Sequence, residues 1–599
     1  MQPGRLWRTV RHLSADQWVW RLVCRGRRTL RARLPGLARA RIEPAAKRLP
    51  FPDPAASTMA EIADAILLLQ RTVHGESFGE TAEGRFRLLG EEFDFGSIEG
   101  INWRGDFREG TNPLRRMTLS YLGFAVPLLA TGQRKALDAA ARFVRSLEAG
   151  NPWSAPGALG DVWNPYAASH RILNLLSGLA LYRREKGVPD EALEAEILAH
   201  VRLCAALVRA SLERDIQFNH LLKNLVALSA YASACGEFPP AFAFLRRDVP
   251  KALKQCVLAD GGHAERSPMY HALGLIDVRV LAATGLFPDA AETVRRMEHA
   301  LGVLSLGDGE IALFNDSWIG EAPPAASLAG GVTEPVTRLP VTGYVRLGSG
   351  SDSVVFDCGK CGPDENPGHA HADFLSVEAT VGGRRFLVDT GVPSYTAGPP
   401  RDASRTSAAH NGPRVDGAEP IEFWKSFRVG RRGDAGELDT AAFRDLAPLV
   451  AAGWQSGYAH VGSNGGTDVR RLVALWPGRG LLLADLWRGE GAARATAEFL
   501  IPERWQAEAD GVFAAAGLRV RATALRGRFG APLPASYWMR YAIARPAHRL
   551  PLHPVIGGGA ARSAVFFAWD RDMDPPDHAA LEAAFAALAA APRIPRGGA

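Results

Sequence analysis

The sequence has few cysteines and no long apolar run. Six cysteines are scattered over 599 residues, which is too sparse for a disulfide framework. No window approaches the roughly 18–20 unbroken apolar residues of a membrane span. Cys358 and Cys361 form one CxxC with no second pair. A redox pair or half of a zinc site is one interpretation, and small residues at a strand end is the favoured one.

A general excess of basic charge is also absent. The net charge is +6, but residues 1–50 contain thirteen Lys or Arg against Asp16 and Glu43, a charge of +11. The other 549 residues therefore sum to −5. The basic pI belongs to an N-terminal arm, 1–54, and the body is mildly acidic. No nucleic-acid partner is expected.

The arm lacks the apolar core and small-residue cleavage site of a secretory signal. It sets Trp7, Trp18 and Trp20 among arginines. Such a basic aromatic segment can lie peripherally on an anionic membrane surface. A solvated or partly helical extension is the alternative. Both interpretations stay open.

Helical periodicity dominates residues 55–330. Apolar side chains recur at i, i+3 and i+4 in stretches such as AEIADAILLLQRTV, RKALDAAARFVRSLEAG and NHLLKNLVALSAYASACG, as in amphipathic helices. Short links containing Gly or Pro join these stretches, and no strand pattern separates them. Stacked helical hairpins are predicted here. A linker rich in Pro, Gly and Ala follows at 321–340.

The apolar period changes to two in residues 331–599. Strand-length runs such as FLSVEATVGGRRFLVDTG and VRRLVALWPGRGLLLADLW are split by turn residues. VGGR and PGRG suit hairpin connections. Since no helices intervene, an antiparallel sandwich is favoured over a parallel sheet. A short Ala-rich helix is expected near the C-terminus.

Two helix starts in the helical half bring together polar side chains. Asn219 is a good N-cap residue, with His220 on the first turn. Ser267 followed by a proline is a second start signal, and it places Tyr270 and His271 on a first turn. Free backbone N–H groups and the positive end of a helix dipole suit a carboxylate ligand. A structural cap and a core aromatic are the alternatives.

The β half supplies histidines and a carboxylate. His369 and His371, two apart on an expected strand, would face the same side. Asp389 ends another predicted strand, and His410 follows in a Ser/Thr/Gly-rich loop. Two imidazoles and a carboxylate make a reasonable zinc set. The spacing matches no regular motif, so the residues alone leave the metal open.

These residues match a known family. GHAHADFLSVEATVGGRRFLVDTGVPSYT, RTSAAHNGPRVDG and FWKSFRVGRR resemble the C-terminal region of heparinase II/III-type polysaccharide lyases, which are related to oligoalginate lyases. NHLLKNLVAL and ERSPMYHALGLID resemble helical motifs of the same family, and NPLRRMTLSYLGF at 112–124 is a weaker landmark. The resemblance implies an N-terminal (α/α) toroid of helical hairpins followed by a C-terminal antiparallel β-sandwich domain.

The resemblance also implies roles. Asn219 and His220 would bind and neutralise a uronate carboxylate, and Tyr270 would accept and donate the proton in β-elimination. His369 would share the base role or assist the leaving oxygen. The further residues that the resemblance suggests are His271 and Arg405 for substrate, and His371, Asp389 and His410 for a structural Zn²⁺.

Alternatives remain at this level. A metal-assisted glycan hydrolase would need paired carboxylates; Asp316 and Glu265 are the acidic residues to consider. A non-catalytic glycan-binding or assembly protein of a surface polysaccharide system is the third reading. An acidic polysaccharide is the expected partner. The family implies the bacterial cell envelope or periplasm, and the missing cleavable signal leaves a cytoplasmic location open.

Overall fold

The computed structural model describes residues 3–75, 78–107, 109, 113–462 and 466–595. The predicted landmark at 112–124 therefore begins at a residue, Asn112, outside the described part. The helices are α1 (Pro3–Val10), α2 (Ala15–Arg33), α3 (Pro35–Lys47), α4 (Met59–His74), α5 (Phe78–Ala82), α6 (Leu114–Ser120), α7 (Ala125–Leu129), α8 (Arg134–Gly150), α9 (Pro165–Arg184), α10 (Glu191–Arg209), α11 (Phe218–Ser233), α12 (Leu245–Cys256), α13 (Pro268–Ala283), α14 (Ala290–Val303), α15 (Ala325–Leu328), α16 (Pro399–Ser404) and α17 (His578–Ala590).

Strands occupy mainly the C-terminal half. They are β1 (Arg85–Leu88), β2 (Glu91–Asp94), β3 (Val336–Leu339), β4 (Tyr344–Leu347), β5 (Ser353–Asp357), β6 (Val377–Val381), β7 (Arg384–Leu387), β8 (Arg414–Val415), β9 (Phe423–Trp424), β10 (Arg428–Val429), β11 (Ala435–Glu437), β12 (Leu449–Gln455), β13 (Thr467–Trp476), β14 (Gly480–Gly489), β15 (Ala495–Pro502), β16 (Gln506–Ala507), β17 (Val512–Ala515), β18 (Leu518–Arg526), β19 (Arg528–Phe529), β20 (Leu533–Arg540), β21 (Ile543–His553), β22 (Val555–Gly557) and β23 (Ala560–Ala568).

The strands of the C-terminal half form antiparallel sheets. Across the described residues, a nine-stranded sheet runs β11-β12-β13-β14-β23-β18-β17-β16, with β22 beside β23. One five-stranded sheet runs β3 to β7 in chain order, and another is built on β15 and β21. Apolar side chains of these sheets interdigitate in one core that includes Phe356, Val473, Phe499 and Phe567. This is the packing of a β-sandwich.

The predicted fold class, α followed by β, is confirmed. Helix α4 spans the predicted 60–73, and α8 spans 134–150 as its periodicity indicates. The structure differs from the sequence prediction in segments that have no clear apolar periodicity. A small hairpin, β1–β2, interrupts the helical half, and most of the basic arm forms the helices α1, α2 and α3, which pack on the body. Among the described residues, no helix combines the length and apolar character that crossing a membrane requires.

Hydrogen bonds from buried polar side chains fix the helical half against the β half. Asp260 accepts the N–H groups of Val341 and Thr342, both at 2.7 Å. The buried guanidinium of Arg266 donates to the carbonyls of Thr342 and Gly362, each at 2.9 Å. Buried charge-assisted hydrogen bonds are strong and directional. The starts of α11 and α13 are thereby held opposite the loop 366–374 of the β half.

Candidate functional site

The first turn of α11 contains Asn219 and His220. The expected cap, Asn219, lies inside the helix; Gln217 is the N-cap residue. Gln217 and Phe218 both have left-handed φ, 65° and 44°. Such backbone costs of order 1–3 kcal/mol for a residue with a side chain, and it collects at functional sites. The strained entry lies directly before Asn219 and His220 and fixes the backbone from which their side chains project.

His220 sits between a carboxylate and the open cleft. Its Nδ1 is 3.1 Å from Oε1 of buried Glu213, and 28% of its side chain is exposed. Burial lowers the pKa of His220, but the charge and hydrogen bond of Glu213 more than offset this, so its pKa is raised. The Oδ1 atom of neighbouring Asn219 is buried without a hydrogen-bond partner. The His220 imidazolium and the Nδ2 amide group of Asn219 can donate hydrogen bonds to an anion, whereas the unpartnered Oδ1 is an acceptor and would face a hydroxyl of the ligand.

Tyr270 lies on the first turn of α13 as predicted. Ser267 caps the helix by accepting the N–H of Tyr270 at 3.2 Å, and Pro268 follows it. Arg266, just before the cap, again has a left-handed φ of 58°. The Tyr270 hydroxyl is 3.5 Å from that of Tyr395. Burial raises the pKa of Tyr270 well above its ordinary value, so the resting phenol is protonated.

His369 meets Tyr270 across the two halves. Their rings stack at 4.1 Å between centroids with 16° between planes. His369 Nδ1 is 3.5 Å from Oε2 of Glu265, whose side chain is 2% exposed, and 19% of the His369 side chain is exposed. One face of the imidazole thus lies on the phenol, and its Nδ1 edge faces a carboxylate.

The prediction that His369 and His371 lie on a strand is wrong. Both histidines lie in the loop before β6, because the strand begins only at Val377. Strand alternation therefore does not apply, and the two side chains differ in environment. His371 is fully buried, whereas His369 borders the cleft.

His371 belongs to a buried ionic network. Its Nε2 is 2.8 Å from Oδ1 of Asp316, and Arg401 binds the same carboxylate with both terminal nitrogens. Burial would raise the pKa of Asp316, but the Arg401 charge and the His371 hydrogen bond hold it well below its usual range. Burial lowers the pKa of His371 to about 4. A neutral imidazole donating from Nε2 leaves its Nδ1 with a lone pair.

His410 repeats this arrangement. Its Nδ1 is 2.7 Å from Oδ2 of Asp389, and its ring centroid is 5.4 Å from that of His371. His371 Nδ1 and His410 Nε2 are both buried without hydrogen-bond partners, and each ring is backed by a carboxylate, as metal-binding histidines are. Asp389 stands behind His410, however, and no group of three His, Cys, Asp or Glu side chains among the described residues is arranged to hold a metal. Two of the three predicted ligands fit a zinc ion; the third is turned away.

The structure corrects the prediction that His271 and Arg405 bind substrate. His271 is completely buried; its Nε2 is 2.8 Å from the Met297 carbonyl and its Nδ1 accepts the His263 N–H. Arg405 is equally buried and donates to the carbonyls of Pro367, Ala370 and Ser426. Neither side chain reaches the cleft. Arg405 instead holds the loop on which His369 sits.

A small cavity of about 60 Å³ continues from the site into the helical half. Asn219 and Tyr270 line its mouth, together with Tyr166, Lys223 and Glu321. Burial raises the pKa of Glu321 to about 7, and Lys223 forms an ion pair with Asp277. Apolar side chains such as Leu69, Val73, Leu222 and Leu273 make up most of the wall, which carries little net charge.

Sequence reasoning missed several residues of this site. Glu213 lies seven positions before His220, and its charge near the start of the helix is a signal that could have identified it. Tyr395 stands inside the stretch that carries the family resemblance. Glu321 falls in a segment that composition marks as a linker. Contacts between residues more than a hundred positions apart, as for Tyr270 and Tyr395, leave no local pattern.

The comparisons with known proteins agree with the fold. Residues 331–526 match the family described as "Heparinase II/III-like, C-terminal". A crystal structure of heparinase III superimposes with a TM-score of 0.59 at 16% identity, covering 79% of this chain and 80% of that one. A mutant of the heparan sulfate lyase HepC from Pedobacter heparinus gives 0.56 at 17% identity over 90% and 88%.

The resemblance to the heparinase II/III family is thus confirmed for residues 331–526, and the relation to oligoalginate lyases stays a prediction. The C-terminal half contains a heparinase II/III-like domain, and the helical region followed by antiparallel sheets has the fold of heparinase III. Among curated proteins, FtsZ-localized protein C of Caulobacter vibrioides is 30% identical over 273 residues. That stretch is 43% of this chain and 45% of that protein, so the chain spans about half the length of this relative.

Proposed function

We propose that the protein is a polysaccharide lyase that cleaves a uronic-acid-containing glycan by β-elimination. The observation that carries this proposal is the stacking of Tyr270 on His369 at 4.1 Å, with one residue from each half of the molecule. Beside them, Asn219 and the His220–Glu213 pair offer a site for a carboxylate. Acid–base groups next to an anion site are what elimination alpha to a carboxylate requires.

In the proposed reaction the uronate carboxylate lies between Asn219 and His220. Removal of the C5 proton pushes negative charge onto that carboxylate, and the imidazolium and amide stabilise it. His369, backed by Glu265, takes the C5 proton. The electron pair forms the C4–C5 double bond, and the C4–O bond breaks.

Tyr270 then donates its phenolic proton to the departing oxygen. These roles follow from the protonated resting state of Tyr270, because a protonated phenol has a proton to give and cannot act as the base. The proton gained by His369 leaves to solvent after product release, and Tyr270 recovers one from solvent. Atoms and charge balance over the cycle.

The charges around the site favour a carboxylated substrate of low sulfation. The ammonium of Lys223 is neutralised by Asp277, and the guanidinium of Arg401 by Asp316. Glu321 adds an acidic group to the cavity wall. A dense sulfate pattern would need cations without partners, and these described cations are already paired.

We further propose a structural zinc ion held by Nδ1 of His371 and Nε2 of His410, with Asp389 behind the His410 ring as its hydrogen-bond partner. The ion would supply fixed positive charge and anchor the loop, and no step of the reaction passes through it. His371 lies two positions beyond His369 in the same loop, so fixing its ring restrains the loop that presents the His369 imidazole.

The test is incubation with uronate polymers while the ultraviolet absorbance of a C4–C5 unsaturated uronate is followed. A second substrate whose C4 leaving group is an aryl oxide separates the two roles, since such a group departs without a proton. Tyr270→Phe should regain turnover on that substrate, and His369→Ala should not. Equal inactivity of both variants would overturn the division of labour; reducing ends without absorbance would indicate hydrolysis.

A second candidate function is a non-catalytic binding or assembly protein. The observation favouring it is the name of the relative, FtsZ-localized protein C, which describes a location and no reaction. Saturable binding of a polyuronate without any absorbance change, equal in wild type and Tyr270→Phe, would select it. A hydrolase is less favoured, because Asp316 is fully buried and engaged by both Arg401 and His371.

A further inference from the structure

The N-terminal arm holds an unusual concentration of exposed apolar side chains. Among the described residues, most of the large hydrophobics that face solvent belong to this arm and not to the rest of the surface. Seven of them form what is called here the outer face: Trp18, Val19, Leu22, Val23, Leu30, Leu34 and Leu37. Leu22 is 71% exposed and Trp18 45%. Large contiguous apolar patches on a soluble surface mark interaction sites.

Helix geometry puts the five members of the outer face that belong to α2 on one side of that helix. At 3.6 residues per turn, Trp18, Leu22, Val19, Leu30 and Val23 fall within a sector of about 140°. The opposite side carries the buried residues of the helix, Gln17 and Cys24. The docked side of the helix is therefore largely polar, and the apolar side is unpartnered among the described residues.

The inner side of α2 is firmly attached to the helical half. Arg27 and Arg31 donate to the Ala210 carbonyl, each at 3.1 Å, and Arg28 pairs with Asp215 at 2.7 Å. The segment they bind leads directly into α11. Helix α1 reaches the β half, where Trp424 Nε1 donates to Thr9 at 3.0 Å and two arginines bind Glu422. The arm thus braces both halves beside the cleft.

Positive charge surrounds the outer face. Arg25, Arg33 and Arg41 are exposed, and among the described residues none of the three has a carboxylate partner. Residues 1–50 carry +11 while the remainder of the chain sums to −5. An amphipathic helix with tryptophan at its apolar face and arginines alongside suits the boundary of an anionic bilayer.

We propose that the outer face docks on an anionic lipid surface. Trp18, Leu22 and their neighbours enter the headgroup boundary, while Arg25, Arg33 and Arg41 meet lipid phosphates. Because α2 is braced against the segment before α11, docking brings the cleft close to the membrane plane. This inference does not depend on the proposed lyase activity.

The test is co-sedimentation of the full chain with phosphatidylcholine vesicles that contain or lack phosphatidylglycerol. Wild type should bind the anionic vesicles, and the binding should weaken with salt. The triple variant Trp18→Ser, Leu22→Ser, Leu30→Ser should bind at least about tenfold more weakly, since each lost side chain removes apolar area from the lipid contact. Arg25→Glu with Arg33→Glu should reduce binding to anionic vesicles alone.

A matched control is Val188→Ser with Ile556→Ser, which removes exposed apolar side chains elsewhere and should leave sedimentation unchanged. Circular dichroism and analytical ultracentrifugation of each variant report folding and association. The proposal is overturned if wild type ignores anionic vesicles, or if the triple variant binds them as well as wild type does. It is equally overturned if the outer face instead supports a dimer or retains a soluble polyuronate without binding vesicles. Turnover of a soluble substrate should be equal in wild type and triple variant, so loss of lyase activity and loss of docking are separable.

Discussion

Two groups of polar residues meet at the cleft, and they differ in how far their side chains are exposed to it. On the helical side, Asn219, His220 and Tyr270 are partly exposed and follow strained backbone. On the β side, His371 and Arg401 are fully buried around the Asp316 carboxylate, although Nδ1 of His371 has no hydrogen-bond partner. Exposure suits groups that must bind and release a substrate. Burial among ionic partners suits groups that hold geometry.

The largest effect that tests this contrast between the helical side and the β side is expected at Tyr270. Tyr270→Phe should lower kcat by about 10²–10⁴-fold, the usual contribution of an acid–base group, because the phenolic proton is lost. The free energy of unfolding should change by less than about 1 kcal/mol, since the hydroxyl makes only one long hydrogen bond. Steady-state kinetics and thermal unfolding measure the two effects.

Tyr231→Phe is the matched control for that variant. Tyr231 is also in the helical half, and its hydroxyl donates to the Pro50 carbonyl at 2.5 Å. It should lose stability and keep activity, the reverse pattern. If both variants lose stability and neither loses turnover, the helical wall is structural and the contrast with the β side disappears.

The β side should respond in stability. Asp316→Ala leaves the Arg401 guanidinium buried without its partner, which costs about 3–5 kcal/mol. Calorimetry should show the transition of the β half at a clearly lower temperature. Glu196→Ala, which breaks the exposed pair with Arg145, should cost no more than about 1 kcal/mol. Similar losses for both would mean that Asp316 and Arg401 are not the support of the loop.

Local signals were enough to predict most of the architecture from the sequence. Helical periodicity predicted α4 and α8, and Ser267 with Pro268 marked the start of α13, because caps and amphipathic faces are properties of neighbouring residues. The loop at His369 was misread as a strand, since alternation over a few residues does not tell an extended loop from a strand. His271 looked available, although tertiary packing gives both of its nitrogens internal partners.

The sequence predicted which residues belong to the candidate site better than it predicted how they are arranged. Asn219, His220, Tyr270 and His369 converge, but Glu213 and Tyr395 acquire their meaning only from contacts across the fold. The buried partners Asp316 and Arg401 lie eighty-five positions apart. Nothing in either neighbourhood indicates the other residue. Long-range ion pairs are fixed by topology, which a local pattern does not contain.

The two ring nitrogens of the β side that have no hydrogen-bond partner, His371 Nδ1 and His410 Nε2, allow the proposed zinc site to be tested. His371→Ala should lower the zinc retained after dialysis against a weak chelator and lower the thermal midpoint, because a ligand and a buried hydrogen bond are lost together. Elemental analysis measures the metal directly. His553→Ala, a change at an exposed histidine of the β half, should leave both unchanged. Equal zinc in wild type and His371→Ala would remove this residue from the zinc site.

The smallest effect is expected at Glu321, whose carboxyl lines the cavity of the helical half and, like the residues of the β side, is affected mainly by burial. Burial raises the pKa of this carboxyl from 4.5 to about 7. Between those values the unfolded chain releases a proton that the folded chain keeps, so this carboxyl makes stability fall as pH rises from about 4.5 to 7. Glu321→Gln removes that fall, and its stability relative to wild type should grow across the same range by about 1–3 kcal/mol. Unfolding measured at several pH values gives the difference, with exposed Glu191→Gln as the control that should show none. A difference that stays flat with pH would mean that Glu321 is solvated in the folded protein, and the cavity would then be an open, charged part of the cleft.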